Sequence, residues 1–230
     1  MTSFLSKPID WETTLKGASL LFGLLSKILY SEPELKWLEK LYDDEVFLDA
    51  PFAAENPDVM KGLGLLREWG QEFRMGNSEE KYNDIKSDYM KIMVGTADFK
   101  TPPWESVYFN EDRSIFQEET LAVRKWYRRF GLASEKLYNE PDDHIALEIS
   151  FIAHLSSLSL EALESNDQSL FEKTLQAQHD FLKEHLLQWG PAWCDLVGQN
   201  AQTKFYKGTA LLLGGAFTEL KHIFELEVSR

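Results

Sequence analysis

Two short strings, Thr101–Tyr108 and Glu140–Ile145, hold the residues whose types and spacing could do chemistry. The second string gathers three carboxylates and a histidine around one proline. Proline suits the first position of a helix, and exposed N–H groups together with the helix dipole stabilise carboxylates in the first turn. Taken alone, the string therefore predicts a helix that begins at Pro141, with Asp142 and Asp143 in its first turn.

Metal or nucleophilic chemistry has weak support in this sequence. His144 and Glu148 are four residues apart, which would place a histidine and a carboxylate on one face of that helix. A di-iron bundle needs two Glu-x-x-His pairs, and the chain has one, Glu219-Leu220-Lys221-His222. The single cysteine, Cys194, follows a tryptophan and fits a small core residue better than an activated thiolate. We therefore expect no metal, no cofactor and no catalytic residue.

Aromatic side chains give a stronger indication of a binding surface. Four of them lie near proline or glycine breaks, where helix ends leave grooves: Tyr30, Trp104, Tyr108 and Trp126. Aromatic residues with a polar tip are good anchors for a partner peptide at such places. The basic run that follows leaves two interpretations open, because Arg124 and Arg128 could grip an anionic group or form a solvated helix face.

The charge balance narrows the range of partners. The chain of 230 residues carries 24 basic and 38 acidic side chains, a net charge of −14. Such a field disfavours nucleic acid and anionic membranes and favours cationic partners, for example a peptide that carries arginines. The single cysteine excludes an intramolecular disulfide, and Met1–Asp10 lacks the basic patch and apolar run of a signal peptide. We expect a soluble cytoplasmic protein without stable membrane insertion.

Apolar residues recur at spacings of three and four through most of the chain, which predicts an all-α fold. We expect a multi-helix bundle of about nine to eleven helices. Asn56-Pro57 and Asn166-Asp167 predict helix starts, and Trp189-Gly190-Pro191 predicts a helix end. The step Gly214-Gly215-Ala216 suits close helix packing, and Ser106–Phe109 is the place where extended structure is expected.

The same pattern predicts a joint in the second half of the chain. We expect an N-terminal helical part, residues 1–131, and a C-terminal helical part, residues 142–230. A connector at 132–141 would join them and could act as a hinge. The two parts could still pack as one globular unit.

Both strings, and the spacing between them, resemble one family, the TorD/DmsD group of chaperones for molybdenum-cofactor oxidoreductases. Pro102–Tyr108 is similar to the family's Pro-Pro-Trp-x-Ser-Val-Tyr/Trp segment, and Asn139–Ile145 to its Glu-Pro-x-Asp-His motif. Tyr82–Gly95 and Leu121–Tyr127 look like the family's helices before and after the first string. Further comparable residues are His185-Leu186, Trp189 and Phe205-Tyr206, so the resemblance extends over most of the chain.

The resemblance implies an all-helical, non-enzymatic chaperone. Such a protein binds the twin-arginine leader and the apo form of a molybdopterin reductase, typically one for dimethyl sulfoxide or trimethylamine N-oxide. It holds this client unexported until the cofactor is inserted, which implies contact with the cofactor-insertion machinery. The family also implies a monomer or a domain-swapped dimer hinged near the second motif. Some members are reported to bind guanine nucleotide, for which this sequence offers no clear pocket.

The resemblance also implies which residues of this chain bind the leader. It links Pro141, Asp143 and His144 to leader binding and puts Trp104 and Tyr108 on the neighbouring surface, while Asp142 stands at the variable place of the motif. A leader offers two arginines beside an apolar helix, so its receptor needs carboxylates next to an apolar groove. Charge-assisted hydrogen bonds to arginine are among the stronger ones. Glu140, Asp143 and Glu148 could supply the carboxylates of such a site, and Trp104, Tyr108 and Ile145 its apolar groove. Trp126 and Tyr30 are two further aromatic anchors.

Other functions remain open on the sequence alone. One is a nucleotide- or metal-dependent hydrolase built on a helical bundle. Another keeps the chaperone fold but has a nitrate-reductase subunit, or a protein without any leader, as its client.

Overall fold

A computed structural model describes residues 8–76, 78–95, 99–133 and 140–226. Within these residues the fold is all-α, as the sequence predicts, with ten α-helical segments. They are α1 Trp11–Tyr30, α2 Leu35–Asp43, α3 Pro57–Met75, α4 Ser78–Tyr89, α5 Ser106–Phe109, α6 Glu118–Arg129, α7 Ile145–Glu164, α8 Gln168–Phe181, α9 Leu187–Asn200 and α10 Lys204–Phe224. One π-helical turn, Met90–Val94, continues α4, and another, Leu182–Leu186, joins α8 to α9. The described segments therefore form nine continuous helices, within the predicted range.

The chain divides into two compact units. The first unit comprises Met1–Lys27, Pro103–Gly190 and Leu220–Arg230, and the second comprises Ile28–Pro102 and Pro191–Glu219. The division at a connector of residues 132–141 stays a prediction, and positions 134–139 of that connector lie outside the described residues.

The first unit is built around α7, whose apolar residues pack against α8. The ring of Phe151 on α7 lies 4.8 Å from Phe181 on α8 and 5.0 Å from Tyr127 on α6, measured between centroids. Among the described residues, α7 is the one helix long and apolar enough to cross a membrane by length and composition. More than half of it is buried inside the protein, which is typical of a core helix.

The second unit contains a close crossing of α3 and α10 at glycines. A Cβ atom on Gly62 would lie 2.7 Å from the carbonyl oxygen of Gly208, and one on Gly215 would lie 2.7 Å from Oδ1 of Asn56. The expectation of close helix packing around Gly215 is thereby confirmed. So is the start of α3, where the Asn56 side chain accepts hydrogen bonds from the backbone N–H groups of Asp58 and Val59.

Two segments outside the second string differ from the predicted secondary structure. Ser106–Phe109 forms the short helix α5 instead of extended structure. The helix predicted to end near Trp189-Gly190-Pro191 continues as α9 to Asn200, with Pro191 inside it. Proline normally clashes with the carbonyl four residues earlier, here that of Leu187. Because Leu187 ends the π-helical turn with a ψ of −6°, its carbonyl is turned from the ideal helical direction, which accommodates the proline ring.

Candidate functional site

The two strings singled out in the sequence meet in the first unit. Trp104 and His144 form an isolated antiparallel bridge. The backbone N–H of Glu105 donates to the carbonyl of Asp143 at 2.9 Å, and that of Ile145 donates to the carbonyl of Pro103 at 2.8 Å. Two motifs that are separate in sequence are thus one structural feature.

This pairing corrects the predicted helix start. Pro141, Asp142 and Asp143 precede α7, and His144 is its N-cap, with Nδ1 accepting a hydrogen bond from the N–H of Ala146 at 3.1 Å. A helix that began at Pro141 would need the carbonyl of Asp143 and the N–H of Ile145 for its own hydrogen bonds. In the structure these two groups are bonded to Glu105 and Pro103 instead. His144 and Glu148 remain one helical turn apart, since the backbone N–H of Glu148 donates to the carbonyl of His144 at 3.0 Å, although His144 is the N-cap of α7 and not a residue within the helix. No group of three metal-binding side chains lies together in the described part of the chain.

Asp143 ties three segments together. Its side chain is fully buried, with 0% exposed. One carboxylate oxygen accepts a hydrogen bond from the backbone N–H of Ser106 at 2.8 Å, and the other accepts one from the hydroxyl of Thr120 at 2.7 Å. Asp143 thereby fixes the start of α5 and the first turn of α6 against the second string.

Asp142 is also buried and is paired with an arginine. Nε and Nη2 of Arg124 lie 2.7 and 2.6 Å from one carboxylate oxygen of Asp142. The Tyr127 hydroxyl donates to the carbonyl of Asp142 at 3.0 Å. Arg124 therefore neutralises a carboxylate of its own chain, while Arg128 is exposed on the same helix.

A second buried pair was missed by sequence reasoning. Nδ1 of His185 lies 3.0 Å from each carboxylate oxygen of Glu105. His185 belongs to the π-helical turn Leu182–Leu186, and such turns re-aim side chains and recur at functional sites. Both residues stand in segments that resemble the family, but no local signal links two residues that are 80 positions apart. The pair holds the chain after Trp104 against the end of α8.

Burial dominates the electrostatics around this pair. The pKa of Glu148 is raised well above its usual range, chiefly because the side chain is fully buried and secondly because Glu105 and Asp143 carry negative charge nearby. Oε2 of Glu148 lies 3.4 Å from the indole nitrogen of Trp189, and Oε1 has no hydrogen-bond partner among the described residues. Burial also raises the pKa of Glu105, although the hydrogen bond from His185 opposes that shift.

Three half-buried side chains and the buried His144 lie on the two strings that the bridge joins. The indole N–H of Trp104 donates to Oε1 of Glu140 at 2.9 Å, and the Trp104 ring meets the His144 ring edge-on at 6.1 Å. The Tyr108 ring lies 5.2 Å from that of Trp189. We call the face of Trp104, Tyr108, Glu140 and His144 the motif face.

Nine of the ten predicted binding residues belong to the first unit, and Tyr30 belongs to the second. The hydroxyl of Tyr89 donates to the carbonyl of Tyr30 at 3.2 Å within that second unit. Trp126 is buried in the first unit, with the Arg129 guanidinium 4.0 Å above its ring. The other buried members are Pro141, Asp143, His144, Ile145 and Glu148, and the half-buried ones are Trp104, Tyr108 and Glu140. Their part in ligand binding stays a prediction.

Comparison with known proteins decides the family. The model of the family described as nitrate reductase delta subunit matches residues 56–195, more than half of the chain. The chain belongs to this family. The match includes both strings and the helices around them, so the motif face lies within the part that the family shares.

The curated relatives of this family member are chaperones. The chaperone protein TorD of Aliivibrio fischeri is 24% identical over 84% of this chain and 87% of its own length. The probable Tat proofreading chaperone DmsD of Haemophilus influenzae is 26% identical over 87% of this chain and 88% of its own length. The TorD protein of Vibrio cholerae is 28% identical over 66% and 67%, respectively. These matches confirm the resemblance to the TorD/DmsD chaperones, and the family is one of chaperones and not of enzymes.

Proposed function

We propose that this chain is a cytoplasmic maturation chaperone for a molybdopterin oxidoreductase of the dimethyl sulfoxide or trimethylamine N-oxide reductase type. It binds the twin-arginine leader and the apo form of that enzyme and holds it for cofactor insertion before export. Membership in the TorD/DmsD family and the names of the relatives support this role. The excess of acidic side chains, 38 against 24 basic ones, favours a basic ligand.

The observation that carries the proposal is the bridge between Trp104 and His144, which joins the two motifs into one face. Glu140 is the half-buried carboxylate of this face, and a carboxylate can accept hydrogen bonds from a ligand arginine besides the one from Trp104. Trp104 and Tyr108 supply aromatic surface for the apolar part of the leader. The buried Asp143 acts through the segments that it holds, as a positioning residue.

Calorimetric titration with a synthetic twin-arginine leader tests this proposal. We expect micromolar or tighter binding that weakens when both arginines of the peptide are changed to lysine, because only arginine binds a carboxylate through two parallel N–H groups. The variant Glu140→Gln should bind the leader more weakly and discriminate less between the two peptides. Glu164→Gln, an exposed site at the end of α7, is the matched control. Absence of heat with either peptide would overturn the proposal.

A nitrate-reductase subunit is a second candidate client, because the matching family is described as nitrate reductase delta subunit. Titration with the apo catalytic subunit of a nitrate reductase distinguishes the two clients: tight binding of that subunit, together with no response to the leader, would favour the second one.

The remaining parts of the proposal concern assembly. We infer that the chain is a monomer or a domain-swapped dimer. In the dimer, residues 1–131 and 142–230 would be exchanged about the connector at 132–141. We also infer that the chain contacts the cofactor-insertion machinery. Size-exclusion chromatography coupled to light scattering measures the oligomeric state. Guanine nucleotide is not included, because the sequence lacks the phosphate-binding Gly-x-x-x-x-Gly-Lys-Ser/Thr loop.

A further inference from the structure

A cleft of about 440 Å³ lies in the second unit, between the end of α2 and the second half of α3. Pockets for small molecules ordinarily measure about 300–1,000 Å³, so the cleft has room for one. Leu41, Phe47 and Leu66 give it an apolar surface, and all three are buried. We call it the α2–α3 cleft. None of its lining residues belongs to the motif face.

Tyr42 forms a fixed wall of this cleft. Nη1 of Arg74 donates to the Tyr42 hydroxyl at 3.1 Å, and the guanidinium carbon lies 5.3 Å from the centroid of the Tyr42 ring. The hydrogen bond with Tyr42 and the nearby charge of Asp43 raise the pKa of Arg74. A Cβ on Gly70 would lie 2.6 Å from Cδ2 of Tyr42, so the ring packs directly on the backbone of α3. A wall that is ordered before a ligand arrives lowers the entropic cost of binding.

Both signs of charge line the cleft in equal number. Arg67 and Arg74 supply two guanidinium groups, and Asp43 and Glu45 supply two carboxylates. Nε of Arg67 donates to the carbonyl of Leu63 at 3.2 Å, which anchors the side chain on its own helix. Within the described part of the chain, the two Nη nitrogens of Arg67 have no acceptor and the carboxylate of Glu45 has no donor. Arg67 and Glu45 therefore keep their hydrogen-bonding capacity for a ligand.

Glu45 occupies a backbone position that favours glycine. Its φ angle is 52°, in the left-handed region. The N–H of Val46 donates to the carbonyl of Leu41 at 3.3 Å, and the N–H of Glu45 donates to the carbonyl of Tyr42 at 3.0 Å. These two bonds form a Schellman motif at the end of α2, and glycine is the usual residue at the position that Glu45 takes. Backbone strain of this kind is concentrated at functional sites.

We propose that the α2–α3 cleft binds a free α-amino acid with a large apolar side chain. The Arg67 guanidinium donates to the ligand carboxylate, and the Glu45 carboxylate accepts from the ligand ammonium group. Leu41, Phe47 and Leu66 cover the apolar side chain. An apolar anion would be repelled by Glu45, and an apolar cation would be repelled by Arg67, so a ligand that carries both charges is the complementary one. This site goes beyond the proposed function and does not depend on it.

Titration of the full chain, followed by nuclear magnetic resonance, tests the class of ligand. The probe is L-phenylalanine, and three relatives each lack one of its features. The relative 3-phenylpropionate lacks the ammonium group, 2-phenylethylamine lacks the carboxylate, and L-alanine lacks most of the apolar side chain. We expect phenylalanine to bind with a dissociation constant below about 1 mM and each relative to bind about tenfold more weakly or worse.

Two variants assign the two ends of the ligand. Arg67→Gln should weaken the binding of phenylalanine and of 3-phenylpropionate about tenfold and change that of 2-phenylethylamine less than about twofold. Glu45→Gly should weaken phenylalanine and 2-phenylethylamine instead, and it should raise the melting temperature because glycine suits the left-handed position. Higher stability together with weaker binding is a result that a purely structural role of Glu45 would not give. The controls Lys61→Gln on α3 and Glu39→Gln on α2, both exposed and outside the cleft, should change neither affinity.

Three results would overturn this inference. If the wild-type chain does not bind phenylalanine, the inference is wrong, while the proposed function is judged separately by titration with the leader. If 3-phenylpropionate binds as tightly as phenylalanine, the cleft takes apolar acids and the assignment to amino acids is wrong. If phenylalanine binds equally well to the wild-type chain and to both cleft variants, it binds elsewhere and the assignment to the α2–α3 cleft is wrong.

Discussion

Replacement of Asp143 by alanine should strongly destabilise the first unit. The carboxylate is fully buried and accepts two hydrogen bonds, from Ser106 N–H at 2.8 Å and from the Thr120 hydroxyl at 2.7 Å. Asp143→Ala leaves both donors without a partner in the interior. Each unsatisfied buried donor costs about 1–3 kcal/mol, so the free energy of unfolding should fall by about 2–6 kcal/mol. That is a large share of the about 5–15 kcal/mol that stabilises a typical domain.

Asparagine at the same position is the matched variant. Its amide oxygen can accept from the N–H of Ser106, and its amide nitrogen can donate to the Thr120 hydroxyl, which accepts as readily as it donates. Asp143→Asn therefore keeps both contacts and removes the charge. Loss of that charge relieves the repulsion of Glu105 and Glu148, the two carboxylates whose pKa it raises. We expect Asp143→Asn to cost less than about 1.5 kcal/mol.

Urea denaturation followed by tryptophan fluorescence and circular dichroism measures both variants, with linear extrapolation to water. If the two hydrogen bonds hold the segments together, Asp143→Ala lowers the free energy of unfolding clearly more than Asp143→Asn does. If asparagine destabilises the protein as much as alanine does, the charge and not the pair of hydrogen bonds holds the segments together. A loss below about 1 kcal/mol for alanine would refute the structural role altogether.

Three further predictions concern stability. Glu148→Gln should stabilise the protein increasingly as pH rises above the ordinary pKa of a glutamate, about 4.3. Burial raises the folded-state pKa of Glu148, so the wild-type chain loses about 1.4 kcal/mol of stability for each pH unit over which Glu148 is ionised only in the unfolded chain. Urea denaturation across a series of pH values checks it, and an advantage that does not grow with pH contradicts it. Arg124→Met should cost about 3–5 kcal/mol because it leaves the buried Asp142 carboxylate unpaired, and the additional change Asp142→Asn should recover most of that loss in thermal melts. Gly62→Ala should lower the melting temperature, because the new Cβ would lie 2.7 Å from the backbone of α10. Gly64→Ala, whose Cβ would have no neighbour within 4 Å, should leave the melting temperature unchanged or raise it. Equal effects of the two substitutions would be evidence against the close crossing of α3 and α10.

The sequence correctly predicts those helix starts that depend on contacts between neighbouring residues. Asn56-Pro57 starts α3, and Asp167 caps α8 by accepting from the N–H of Leu170, because these capping contacts span only a few residues. The all-α class followed from the periodicity of the apolar residues, which a helix uses over its whole length.

The errors arise where a distant contact overrides a local preference. Pro141 and the two aspartates after it satisfy every local rule for a helix start, yet the bridge between Trp104 and His144 takes the backbone groups, and α7 begins at Ile145. The chemical types of the site residues were readable from the strings. Their division into buried and half-buried groups was not, because it depends on which backbone segments pair.

The pair of Glu105 and His185 is a second contact between distant residues that the sequence does not predict. The two residues are separated by 80 positions, and His185 reaches Glu105 from a π-helical turn. No spacing rule predicts where a helix accommodates the extra residue of such a turn. The resemblance drew attention to both segments but not to their contact.

Photo-crosslinking shows directly whether the two motifs form one leader-binding face. A synthetic twin-arginine leader carries a photoreactive residue beside its arginines, and mass spectrometry identifies the crosslinked positions on the full chain. We expect crosslinks within both 104–108 and 140–144. Unlabelled leader should suppress these crosslinks by competition, and the lysine peptide should suppress them less. Competed crosslinks confined to the second unit, with none in either motif, would contradict this expectation.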